Sequence, residues 1–414
     1  MMKAVVFTLG CKVNESESDS LISGLIERGY EVSDKLEKAD LYIVNTCAVT
    51  SEAEKKSRQM ASRITKLNKQ AKIIFTGCAT QKSPDDFLQK NNAYLVTGSF
   101  NKNSILDLLD ECGERLFEEP KEFEELLPVR SLRTRTYIKV QDGCNNFCSY
   151  CIIPYLRGRT RSRNPQNVLK EIQLTNPKEA IINGINLSAY NYKGTNLTGL
   201  MNSLKSVDCR IRLGSLEVNV IDDEFLSALK QLKDFAPHFH LSLQSGSDTV
   251  LRRMNRHYKA EEYYQKVCLI RKYFDKPAIT TDVIAGFPEE TEEEFNETIE
   301  FIKKVEFSDI HPFPFSPRKG TVAYKLKDID GIVKKARLDK LLQLKKHLKE
   351  KYINSFIGQT LQFLPEEKNG DYTEGYSQNY IRLYVQNNLD EKIKNVILTK
   401  AYKDGAIAQI QKGE

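Results

Sequence analysis

Cys144, Cys148 and Cys151 stand in the run QDGCNNFCSYCIIPYLRGRTR, separated by three and two residues. Thiolates at this spacing can grip one metal centre, but three are one fewer than a closed iron–sulfur or structural zinc site uses. A three-cysteine set leaves one coordination position open, which is where metal chemistry takes place. A zinc reading needs a fourth ligand, and the nearest histidines, His238 and His240, lie far downstream. A c-type haem site needs histidine directly after the cysteine pair, and Ile152 follows Cys151. The chain opens MMKAVVFTLG, without the basic, apolar and cleavage segments of a secretory signal. That predicts a reducing, cytoplasmic setting in which disulfides do not persist. Gly143, Asn145 and Asn146 make the surroundings a polar loop rather than a core strand.

A second set follows from the elements that must position it. AVVFTL (4–9), LYIVN (41–45) and KIIFT (72–76) are short, apolar and rich in β-branched residues, as buried parallel strands are. Cys11, Cys47 and Cys78 come within a few residues of their ends. In an open α/β sheet, ligands bind just outside the carboxyl ends of the strands, so three equivalent strand ends bring distant cysteines to one point. Gly10 and Gly77 allow the tight turns this requires. Again the count is three, and again an open metal position is expected.

With 414 residues the chain predicts two or three domains. Forty per cent hydrophobic and 29 per cent charged residues is an ordinary balance, and no apolar run reaches membrane-spanning length, so no membrane partner is expected. The remaining cysteines, Cys112, Cys209 and Cys268, have no partner at ligand spacing. A net charge of +6 is too mild to define a nucleic-acid binder, but its distribution is uneven. Residues 111–125 are an acidic linker closed by Pro128. Beyond it Arg130, Arg133 and Arg135, then Arg157, Arg159, Arg161 and Arg163, bracket the cysteine loop. Guanidinium groups on both sides of a reactive centre suit a polyanionic substrate.

From residue 137 onward strands and helices alternate through six repeats, two short of a closed eight-fold barrel. An open (β/α)6 barrel leaves a mouth wide enough for a macromolecule. Helices are expected at 165–175, near 197–206, and at 222–233, 260–274 and 291–305, the last opened by a Thr291/Glu294 capping box. A basic helix over 333–352 leads into short strands broken by Asn-Gly, Asp-Gly and Asn-Asn, the pattern of a small antiparallel barrel. Tyr376, Tyr380 and Tyr384, with Arg382, Lys400 and Lys403, offer an aromatic, basic surface for unpaired RNA bases.

The Cys-x3-Cys-x2-Cys spacing with Tyr150 resembles radical S-adenosylmethionine enzymes. The paired trios resemble the methylthiotransferase family over essentially the whole chain. GCKVNESES (10–18), NTCAVTSEAEKKSR (45–58) and TGCATQ (76–81) are similar to its amino-terminal module. VQDGCNNFCSYCIIPYLRGRTRSR (140–163), HLSLQSGSDTVLRRMNRHY (240–258), TDVIAGFPEET (281–291) and HPFPFSPRKGTVA (311–323) are similar to its catalytic core. Cys-Lys-Val-Asn at 11–14 looks most like the branch acting on N6-threonylcarbamoyladenosine at position 37 of tRNA. Branches acting on isopentenyladenosine or on a ribosomal-protein aspartate are the alternatives, with a non-enzymatic iron–sulfur RNA-binding protein beyond them.

The resemblance implies an α/β architecture: an open parallel-sheet domain (1–115), a linker (116–136), a partial radical-SAM barrel (137–350) and a TRAM-like RNA-binding barrel (351–414). It implies two 4Fe-4S clusters, on Cys144, Cys148 and Cys151 and on Cys11, Cys47 and Cys78, with S-adenosylmethionine at the open iron of the first. Tyr150 is then expected near the adenine, and strand-end residues Gly184, Asn186, Ser215, Glu217, Gln244, Ser245, Arg256 and Asp282 around the cofactor. One cluster gives the radical and the other the sulfur, so a methylthio group reaches C2 of the anticodon-loop adenosine. An electron-donor protein and a sulfide source are the further partners implied.

Overall fold

The computed structural model describes residues 2–127, 133–386, 389–390 and 392–411. Pro128, Arg130 and the Asn387-Asn388 turn lie outside the described residues.

The amino-terminal sheet has six parallel strands in the order Glu31–Ser33, Lys3–Thr8, Leu41–Thr46, Lys72–Gly77, Ala93–Thr97 and Gly113–Arg115. The expected strands are its three adjacent central members, and their ends run in register: Thr8 pairs with Asn45, Asn45 with Thr76, and Thr46 with Gly77. Val5, Val6, Ile43, Val44, Ile74 and Phe75 are fully buried because helices cover both faces. Ser51–Leu67 packs its apolar stripe on one face, capped by the Thr50 side chain, which accepts from the Ala53 N–H. Lys12–Glu27 covers the other, yet buries Asn14, Ser16, Glu17, Ser18 and Asp19. The polar burial has a direct cause, since this helix is also covered on its outer side by the next module.

That module is an open barrel. Strands Arg135–Asp142, Glu179–Gly184 and Arg210–Leu213 form one half-sheet, and Ser215–Leu216, His238–Leu241, Ala278–Ala285 and Asp309–Pro314 form the other. The run 210–216 belongs to both, breaking at Gly214, whose N–H donates to Ile182 O at 2.8 Å. The helices fall at Pro165–Thr175, Leu197–Ser203, Asp223–Lys230, Ala260–Tyr273 and Glu292–Val305, and Thr291 and Glu294 form the capping box. Helix Gly331–Asn354 then leads to a closed barrel of Thr360–Asn369, Tyr372–Ser377, Arg382–Gln386, Gly405–Ile410 and Lys394–Tyr402. Asn369-Gly370 and Asp404-Gly405 turn its hairpins. It departs from an all-antiparallel barrel at one seam, where Arg382–Gln386 and Gly405–Ile410 run parallel.

The carboxy-terminal barrel docks on the starts of the core strands through Arg135–Glu366 (2.5 Å), Arg210–Gln362 (2.6 Å) and Arg212–Ser377 O (3.2 Å). Core residue Arg318, almost fully buried, reaches into the amino-terminal module to Glu54 at 2.6 Å.

Candidate active site

Gly143 ends the first barrel strand at φ +71°, a left-handed conformation that favours glycine. A Cβ there would lie 1.9 Å from Arg159 O, so no side chain fits. Asp142 accepts from the Gly143 N–H (2.8 Å), and the Cys144 N–H donates to Gly158 O (3.1 Å). The loop therefore returns with its sulfurs facing inward. Cys144 Sγ accepts from the Asn146 N–H (3.5 Å) and Asn186 Nδ2 (3.7 Å), and Cys148 Sγ from Arg256 Nη1 (3.3 Å). Burial pushes the Cys151 thiol up to about 12. Hydrogen bonds aimed at sulfur are among the surroundings an iron–sulfur cluster uses.

The second trio hangs on the in-register ends of the central strands. Gly10 and Gly77 turn at φ +130° and +109°. A Cβ on Gly10 would stand 3.3 Å from Cys47 Cβ, and Cys78 acts electrostatically on both Cys11 and Cys47. Cys47 and Cys78 are buried; Cys11 reaches the surface. Cys47 Sγ accepts from the Val49 N–H (3.5 Å) and Cys78 Sγ from Arg157 Nε (3.3 Å). Among the described residues no group of three or more His, Cys, Asp and Glu is gathered to hold a single metal ion. A lone zinc draws its sulfurs to about 2.3 Å from one centre. A four-iron cubane holds its thiolates on separate irons and so farther apart. Both donor sets, thiolates with N–H groups on their sulfurs, fit a cubane.

A buried charge cluster joins the trios. Arg157, fully buried, meets both oxygens of Glu17 and lies 3.4 Å from Asp142. Lys139 completes it, 2.9 Å from Glu17 and 2.7 Å from Asp142. Burial alone would raise the Glu17 carboxyl, but Arg157, Lys139 and Lys102 outweigh it and hold it far below the usual carboxylate range.

A cavity of about 600 Å³ opens onto both trios, lined by Cys11 of one and by Cys144, Cys148 and Cys151 of the other. Tyr150, Gly184, Asn186, Ser215, Glu217, Gln244, Arg256 and Asp282 also line it. Glu217 is held by Asn146 (2.7 Å) and Arg256 (3.0 Å). Asp282 lies 3.3 Å from His240. Burial raises the Asp282 carboxyl, but His240, His311 and Lys12 together bring it below its ordinary value. Gln244 sits at φ +70°, a strained conformation of the kind functional sites hold. Ser245 is a correction: it is buried off the cavity and bonded to Thr298 (3.1 Å), where it fixes the turn.

The arginines expected at a phosphate backbone are largely a correction too. Arg157 has no solvent-facing surface, Arg161 pairs with Glu119 (2.9 Å), and Arg163 is buried between Glu125 and Glu171. Glu119 and Glu125 of the acidic linker neutralise Arg161 and Arg163. Only Arg159 of these four is exposed, stacked over Phe147 at 4.6 Å. In the carboxy-terminal barrel, Tyr376 stacks on Tyr380 (4.8 Å) and Tyr380 on His238 (4.2 Å), so both are turned toward the core rather than an outer RNA surface. Tyr384 is buried, and Arg382 pairs with Glu374 and Asp404. Lys400 and Lys403 remain exposed. Sequence reasoning missed Lys12, Asn183, His238, His240, His311 and Tyr380 as cavity residues. For His238 and His240 the signal was present, two histidines alternating along one barrel strand.

Fold and site define a radical-SAM enzyme. The model of the Radical SAM superfamily matches residues 138–302, and that of Uncharacterized protein family UPF0004 matches residues 3–98. A radical S-adenosylmethionine methyltransferase from Kitasatospora setae shares the fold at TM-score 0.54 and 14% identity, over 76% of this chain and 75% of that one. The threonylcarbamoyladenosine tRNA methylthiotransferase of Bacillus subtilis is 36% identical, covering 100% of this chain and 98% of the relative. That of Thermotoga maritima is 37% identical over 98% and 97%. A tRNA-2-methylthio-N(6)-dimethylallyladenosine synthase of Thermodesulfovibrio yellowstonii is 34% identical over 96% of each. The chain belongs to the tRNA methylthiotransferase family of radical S-adenosylmethionine enzymes.

Proposed function

We propose that the protein installs a methylthio group at C2 of N6-threonylcarbamoyladenosine in the tRNA anticodon loop, with two 4Fe-4S clusters and S-adenosylmethionine. One observation carries the reading: Cys11 of one trio lines the same cavity as all three cysteines of the other. When bound, a cluster on Cys144, Cys148 and Cys151 supplies the electron that splits the sulfonium, and one on Cys11, Cys47 and Cys78 supplies the sulfur. The protein's own part is to hold and shield. Arg256 and Asn186 brace Cys148 and Cys144 through their sulfurs, and Arg157 braces Cys78. Glu217, facing the cavity, suits the cofactor's ammonium, and Asp282, kept ionised, suits its ribose hydroxyls. Gln244 and Tyr150 complete the cofactor's side of the wall.

In this reading residues 1–115 carry the auxiliary centre, 137–350 the radical centre and 351–414 an RNA-directed barrel. An external electron donor and sulfide source complete the cycle in the cytoplasm. No helix among the described residues is long and apolar enough to cross a membrane.

The test is anaerobic reconstitution. The intact chain should hold about eight iron and eight sulfide, and a cysteine variant in either trio about half. Cys144→Ala should abolish 5′-deoxyadenosine formation. Cys11→Ala should keep it and lose the methylthio product, read by mass spectrometry of digested tRNA. Full product from Cys11→Ala with half the iron gone would refute the two-centre reading.

A further inference from the structure

Two of the cavity's charged side chains have a direct partner among the described residues. Arg256 has Glu217, and Asp282 has His240. Lys12, which follows Cys11 and lines the same cavity, has neither a hydrogen-bond nor an ion-pair partner for its ammonium among the described residues. The groups acting on it most strongly are Tyr380, Arg212, Arg135 and Glu179. Both of those arginines already have a carboxylate partner, Arg212 in Glu179 (2.7 and 3.0 Å) and Arg135 in Glu366 (2.5 Å). A largely enclosed ammonium with no direct partner leaves a cation at that end of the cavity open to an anionic group.

We infer that Lys12 is the substrate-discriminating residue of this cavity, its ammonium pairing with the carboxylate that a threonylcarbamoyl group adds to the target adenosine. The inference deepens the proposed function and rests on it. S-adenosylmethionine also carries a carboxylate, and Lys12 acts on Asp282 on the cofactor's side as well as on His238, so binding of the cofactor and of the RNA is measured side by side. The stacked Tyr380–His238 pair, also in the cavity wall, lies beside Lys12: Tyr380 leads the groups acting on it, and its charge in turn acts on His238. A charge-assisted bond of this kind, unmade when the carboxylate is missing, discriminates by about ten-fold or more.

The experiment compares anaerobically reconstituted wild type, Lys12→Met and Lys12→Arg. Each is titrated with anticodon stem-loop RNAs that carry either threonylcarbamoyladenosine or plain adenosine at the target position. Wild type should bind the modified RNA about ten-fold more tightly. Lys12→Met should bind both alike, at the affinity of the plain RNA, and Lys12→Arg should recover part of the preference; iron content should match across all three. An undiminished preference in Lys12→Met overturns the inference, as does equal weakening toward both RNAs. A rise in the dissociation constant for S-adenosylmethionine, with the RNA preference intact, overturns it by assigning Lys12 to the cofactor's carboxylate. Wild type that makes no methylthio product on the modified RNA removes the functional reading itself, whereas a wild type that makes it beside an unaltered Lys12→Met removes only this inference.

Discussion

The Glu17–Asp142–Lys139–Arg157 cluster fastens the amino-terminal module to the barrel, because Glu17 comes from the first helix and the rest from the core. Arg157→Met strips both carboxylates of their shared guanidinium. Removing one partner of a buried pair costs about 3–5 kcal/mol, and here the lower end applies because Lys139 still reaches Glu17 (2.9 Å) and Asp142 (2.7 Å). Glu17→Gln leaves Arg157 the longer contact to Asp142 (3.4 Å) and its bond to Cys78 (3.3 Å), and should cost about 2 kcal/mol. Independent losses would sum to about 5 kcal/mol, but the double variant keeps the neutral Lys139–Asp142 pair and should lose only about 2. The coupling is then about 3 kcal/mol, and burial should leave it largely insensitive to salt. Native-state hydrogen exchange under anaerobic conditions reads it as the opening free energy of helix Lys12–Glu27 and strand Arg135–Asp142. Additive losses, with coupling below about 0.5 kcal/mol, would show that the modules are held by something else.

Two further outcomes follow from local geometry. Gly143→Ala forces a Cβ to within 1.9 Å of Arg159 O and should displace the cysteine loop, giving about half the iron per chain and no 5′-deoxyadenosine, with the auxiliary centre retained. Burial pushes the ammonium of fully buried Lys102 down to about 8, so between pH 8 and 10.5 the folded chain binds fewer protons than the unfolded one. Stability should therefore rise with pH through that window, and Lys102→Met should flatten the slope of thermal midpoint against pH there.

The sequence made the strands and cysteines legible for different reasons. Strands at 41–46 and 72–77 are buried on both faces, so they read as unbroken apolar runs. Glu31–Ser33 and Gly113–Arg115 are short edge strands with polar, partly exposed residues, and carry no such pattern. The sign change after the acidic linker was visible, but its meaning depended on geometry. Arg161 and Arg163 look like a phosphate track until Glu119 and Glu125 fold back onto them, bringing together residues about forty positions apart. Tyr376 and Tyr380 pose the same difficulty: spacing along a strand cannot say which module the rings will meet. Glu17 was the hardest to read. A glutamate in NESESDS looks like a solvated helix start, and only the second module laid across it makes burial possible.

On the proposed function, two centres must be kept at one cavity. A sheet and a barrel joined only by the linker would let the two cysteine trios drift apart. A purely apolar interface would fix distance with little preference for register. The polar first helix answers both needs. Asn14 Nδ2 donates to Asn45 Oδ1 (2.9 Å) on the sheet side, while Ser16 Oγ donates to Tyr137 O (2.9 Å) and Glu17 takes Arg157 on the barrel side. Arg157 in turn donates to Cys78, so one guanidinium spans the module boundary and ends on a sulfur of the amino-terminal trio. Slippage by one residue would leave several buried polar groups unpaired, at about 1–3 kcal/mol each. The cost of burying polar side chains is offset by a single allowed register, and that register brings Cys11 to the same cavity as Cys144, Cys148 and Cys151.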